Sequence, residues 1–149
     1  MIELLYFLKP STHPKWVLTA VGILFTIFSL LTYAEVMNAA ETGWGAGNYD
    51  ERDVFYEKAW AATFFLVAII TIVSGQFVEG RAQAILAITI GGGNIFIFIL
   101  TLLAAGDLDN VPGPNGIPYG YTSDPANWAL PMICATCILV SGFLHLEEK

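Results

Sequence analysis

Apolar and polar residues fall in long blocks along this chain, not in short periods. Four uninterrupted apolar runs predict helices able to cross a bilayer, at about residues 16–40, 59–77, 82–105 and 128–146. The third, AQAILAITIGGGNIFIFILTLLAA, has no charged residue from Ala82 to Ala105; as a helix it would reach roughly 36 Å, against a bilayer core of about 30 Å. Its centre carries Gly91, Gly92 and Gly93, followed by Asn94. Consecutive glycines cost a water-exposed helix about 1 kcal/mol each relative to alanine. In lipid they are useful where another helix packs closely, so Gly91–Asn94 is the predicted helix-packing interface.

The polar blocks fix the connections. Residues 1–15 are too short to span and predict an interfacial segment ended by Pro10 and Pro14. Thr32-Tyr33-Ala34 has the small-residue character of a leader cleavage site, but the first run is expected to stay as a membrane helix. Residues 41–58 and 106–127 are expected to be outer loops, rich in glycine, proline and aromatics. The short link VEGRAQ should fold the second and third runs into an antiparallel hairpin. The expected fold class is all-α: a polytopic four-helix membrane bundle, one domain over residues 1–149, with no internal repeat.

Composition agrees with the pattern. The chain is 56% hydrophobic and 13% charged, where an ordinary globular domain has about 25% charged residues. A net charge of −7 with no basic patch argues against a nucleic-acid partner. Both cysteines, Cys134 and Cys137, lie inside the last apolar run, which excludes a disulfide-stapled ectodomain. Lys9, Lys15, Arg81 and Lys149 lie on one side of the expected bundle. The other side has Arg52 and Lys58 among many acids, so the positive-inside rule puts both termini in the cytoplasm.

Candidate chemistry is sparse. Glu35, at the outer end of the first run, is an ionisable group at membrane depth, expected to reach the headgroup region beside Asn38. Asn94 is expected to serve as polar glue between helices; a contact to a pigment, quinone or ion is the functional alternative. His13 and His145 should lie at matched depth on the same side, where a pair of imidazoles has the donors for a haem or metal. Interfacial histidines without a ligand are commoner, and that is the expectation here. Cys134 and Cys137 have redox spacing but apolar neighbours, and should behave as small packing residues. Asp107-x-Asp109-Asn110 starts like a calcium loop but lacks the glycine and terminal glutamate at their offsets. No phosphate loop, serine–histidine set or carboxylate pair occurs, so no catalytic residue, metal site or cofactor is expected, and no enzyme.

The segment Phe7-Leu8-Lys9-Pro10, leading into WVLTAVGILFTIFSLLTYA, together with the order of loops, resembles the MARVEL-type tetraspans, the group of the synaptogyrin, synaptophysin and MAL-like proteins. The matching residues run from about Tyr6 to Ala34; the loop cysteines of several members are missing, and the tail is short. The resemblance implies a non-enzymatic role in organising membrane at vesicles or junctions. The expected function is therefore a membrane scaffold or accessory protein, with the lipid bilayer, further copies of itself or other membrane subunits as partners. The alternative is a small subunit of a channel, transporter, respiratory or photosynthetic assembly. Trp44, Tyr49, Phe55, Tyr119 and Tyr121 are the expected outer-loop partner contacts, because aromatics anchor interfaces.

Overall fold

The computed structural model describes residues 12–38, 41, 47, 49–107, 111–112, 116 and 128–147. The fold is all-α, with α1 (Pro14–Tyr33), α2 (Glu51–Phe77), α3 (Gly80–Gly106) and α4 (Ala129–Leu144). The first three are long and apolar enough to cross a membrane. With 16 residues, α4 is about 24 Å long and falls short of that length.

Two boundaries differ from expectation. α1 stops at Tyr33 and not near residue 40, because the chain turns over there. Glu35 takes a left-handed φ of 57°, the Glu35 N–H bonds the Thr32 carbonyl, and the Val36 N–H reaches back to the Leu31 carbonyl at 3.0 Å. Glycine normally occupies that closing position, since any other L-residue strains there. α2 begins at Glu51, so residues 51–58 are helix and not loop. Asp50 caps it: its carboxylate accepts the Arg52 and Asp53 N–H groups, while the Asp53 carboxylate accepts the Asp50 N–H at 2.9 Å. Glu51 and Asp53 also sit favourably in the positive field of the first turn.

The outer faces are apolar and the interior holds polar side chains among its apolar ones. Leu66, Phe96 and Leu103 stand more than half exposed on the outer faces, while Thr71, Ser74, Gln83 and Ser141 are buried inside. That arrangement suits an apolar surround, as do the three helices long and apolar enough to cross a membrane. The shared core draws on all four helices, with Leu18, Val21 and Phe25 meeting Ala68, Ala87, Cys134 and Ile138. Phe25, Phe64 and Trp60 extend it as an aromatic row, their centroids 4.7 and 4.8 Å apart.

The helices form two tight antiparallel pairs, α1 with α2 and α3 with α4. The α2–α3 hairpin expected from the short link exists as a connection, turned by Gly80 at φ 60°, but those two helices touch sparsely. The tight pairs owe their closeness to glycine. A Cβ added at Gly22 would meet the Ile72 side chain at 2.6 Å and the Ala68 carbonyl at 3.1 Å. One at Gly91 would meet the Leu139 backbone nitrogen at 2.5 Å and the Ala135 carbonyl at 2.8 Å.

The partner helices answer in kind. Gly75 leaves room for Thr19 and the Lys15 carbonyl; Gly142 leaves room for Ile88 and the Ala84 carbonyl. These contacts are one set used twice. Gly22 corresponds to Gly91, Lys15 to Ala84 and Thr19 to Ile88, at a constant spacing. Ala68, Ile72 and Gly75 correspond in the same way to Ala135, Leu139 and Gly142. The sequences Ala68-Ile-Ile-Thr-Ile-Val-Ser-Gly75 and Ala135-Thr-Cys-Ile-Leu-Val-Ser-Gly142 show the relation directly. Among the described residues, the two hairpins therefore share one pattern of glycine contacts, a relation the sequence reading did not anticipate.

Candidate functional site

The residues singled out by sequence separate into three regions. In the middle of α3, the Gly91–Asn94 stretch splits by face. Gly91 is buried against α4, as above. Asn94 is also buried, but its amide donates to the Ile90 carbonyl of its own helix at 2.7 Å, so that amide is satisfied within α3 and is not the interhelical bond expected. Gly92 only grazes Leu139, 3.8 Å from an added Cβ, and Gly93 has nothing within 4 Å. The Gly93 backbone thus lies open on the outer face, with Thr89 one turn before it and Ile97 one turn after, all exposed.

At one end of the bundle, Glu35 lies beyond α1 and pairs with Lys58 in the second turn of α2, both partly exposed. The left-handed turn at Glu35 carries its side chain beyond the end of α1 toward Lys58. Asn38 holds the same corner, donating to the Tyr49 hydroxyl at 2.9 Å and accepting the Glu41 N–H at 3.0 Å. Glu57 is half-buried alongside, outside the apolar run; burial first, and the neighbouring Asp53 carboxylate second, push its carboxyl above the usual range. Phe55 projects outward against Tyr56, with centroids 5.6 Å apart. Trp44, Tyr119 and Tyr121 lie outside the described residues, as do Asp109, Asn110 and the Phe7–Pro10 segment.

At the opposite end, the structure brings the two histidines together. Their rings meet edge to face with centroids 5.0 Å apart. Each also finishes a helix. His13 caps α1, its Nδ1 accepting the Lys15 N–H at 3.2 Å. His145 is buried after α4, its Nδ1 lying 2.9 Å from the Ser141 carbonyl. A carbonyl only accepts and a backbone N–H only donates, so Nδ1 carries hydrogen in His145 and is bare in His13. Among the described residues no group of three or more metal-ligating side chains comes together. Of the cysteines, Cys134 is buried in the core and Cys137 is exposed on the outer face.

Gln83 is the residue that sequence reasoning missed. It looked like the polar end of a link, yet it is buried in the first turn of α3 and donates to the Ser74 and Gly75 carbonyls at 3.2 and 2.9 Å. Those carbonyls belong to the last turn of α2, where no helical partner remains for them. The repeat explains the placement. Ser74 and Ser141 are equivalent, and each has its carbonyl met by a side chain, Gln83 in one case and His145 in the other. Across the hairpins, the start of α3 thus lies on the end of α2, as the start of α1 lies on the end of α4. Gln76 adds a bond inside the first hairpin, donating to the Thr19 hydroxyl at 2.7 Å.

Compared with protein-family models, curated proteins and solved structures, the chain finds no significant match.

Proposed function

We propose that this chain is a multi-pass membrane protein working as a non-enzymatic scaffold or accessory subunit, through lateral association of its outer helical faces. One observation carries the reading. Gly93 presents bare backbone at the centre of an apolar helix, on a face that no other part of the described chain covers. Small residues at such positions let a second helix approach closely, which is the main source of association where lipid and side chains are equally apolar. The partner is another copy of the chain or another membrane subunit. Four crossings with both termini cytoplasmic belong to this proposal. α4 supports them by packing along α3 through Gly91 and Gly142, despite its short length. The MARVEL-type resemblance fits the same role of membrane organisation.

The test compares neighbouring glycines. Gly93→Leu adds a side chain into open space, so the fold should keep its stability to within about 0.5 kcal/mol while the assembly recovered in mild detergent falls to single chains by native mass spectrometry. An unaltered assembly would rule out this face.

A further inference from the structure

Between the first hairpin and the start of α4 lies a cleft of about 50 Å³, walled by Phe25, Phe28, Trp60, Phe64 and Pro131. Two hydroxyl-bearing residues, Ser29 and Thr32, also border it. Ser29 is 2% exposed, lines the cleft, and its hydroxyl has no hydrogen-bond partner among the described residues. The helical threonines behave differently: Thr19, Thr26, Thr71, Thr89 and Thr101 each donate to the carbonyl four residues back. Ser141 also lacks a partner, but it is fully buried and does not line the cleft.

A trapped water is a poor occupant. Water needs two to four polar partners, and apart from Ser29 and Thr32 the walls are apolar and aromatic. Its location carries the argument further, because many transporters built from internal repeats bind their substrates at the interface between repeats. The aromatic walls come from α1 and α2, and Pro131 from α4, so the cleft lies at that interface.

We infer that this cleft binds the oxygen-bearing end of a membrane-dissolved lipid, with a single hydroxyl or carbonyl on Ser29 and the remaining hydrocarbon left in the bilayer. The cleft admits an oxygen and the first few carbons, not a whole molecule. The inference rests on the chain being embedded in membrane, but not on its lateral association.

The test uses the full chain in phosphatidylcholine vesicles and octadecanol carrying a diazirine beside its hydroxyl. Light should place adducts on Phe25, Phe28, Trp60 and Phe64, and excess unmodified octadecanol should suppress them at least tenfold, while octadecane should not. Ser29→Ala should lower labelling about three- to tenfold through the lost hydrogen bond, and Ser29→Leu should abolish it by filling the space. Adducts spread evenly over outward residues such as Leu66 and Phe96, without competition, would overturn the inference. So would cross-links from cleft residues to a second copy of the chain. If Ser29→Leu loses its helical circular dichroism, competition on the unaltered chain decides alone. Release of the protein from membranes by alkaline carbonate would instead refute the embedded reading, a result independent of where the label lands.

Discussion

Single residues at the Glu35 end of the bundle set its response to pH. Glu57 has its carboxyl raised by burial and by Asp53, so the folded state favours the protonated form more than the unfolded chain does. The stability this supplies is complete below the ordinary glutamate range and is lost as pH rises through the raised value of the folded protein. Thermal unfolding followed from acid to neutral pH should show that decline, and Glu57→Gln should flatten it. A decline of equal size in the variant would assign it to another group. Little of this was legible in the sequence. Glu57 was one acid among many in a presumed loop, and only the capping box at Asp50 and Asp53 turns that stretch into helix and brings Glu57 beside Thr32 and Val54. Glu35 stood out in the sequence as an ionisable residue at the end of an apolar run, yet its left-handed backbone is invisible in a list of residue types.

Helical elements were the most legible scale, because apolar blocks of this length leave few alternatives. What the blocks do not encode is which glycine does what. Gly91, Gly92 and Gly93 look interchangeable in sequence, but their directions around α3 differ by about 100° per step. One faces α4, one grazes it and one faces outward. Gly91→Ala should therefore destabilise the fold by about 1–3 kcal/mol, since the neighbouring Leu139 backbone must move. Gly142→Ala should cost a similar amount against the Ala84 carbonyl. Chemical unfolding in detergent, measured beside Gly93→Ala, checks both; equal values for Gly91 and Gly93 would contradict the assigned faces. The α2–α3 pairing illustrates the converse. A short link dictates that two helices be sequential neighbours, but Gly22 and Gly75, Gly91 and Gly142 dictate which neighbours pack tightly.

For the molecule as a whole, the tandem hairpins predict separability. Cutting the chain at Glu79, in the two-residue link between α2 and α3, leaves each closely packed pair intact. The two pieces produced together should co-purify, held by the shared core and by Gln83 on the Ser74 and Gly75 carbonyls. Gln83→Leu strands those carbonyls and should weaken the recovery of the pair; full recovery would show that the core alone holds the halves. The repeat was available in the paired Val-Ser-Gly endings of α2 and α4, but four shared positions in apolar helices carry little weight until the matched contacts give them meaning.

The same repeat governs how many of anything the bundle can offer. Two identical hairpins would necessarily present every off-axis feature in duplicate. Here the register partner of Ser29 is Phe98 and that of Phe25 is Asn94, so the aromatic cleft has no copy in the second half. The two halves differ at these positions, so among the described residues the cleft occurs once per polypeptide. Occupancy should then follow a simple hyperbola with no linkage between twin sites, whatever number of chains assemble around Gly93.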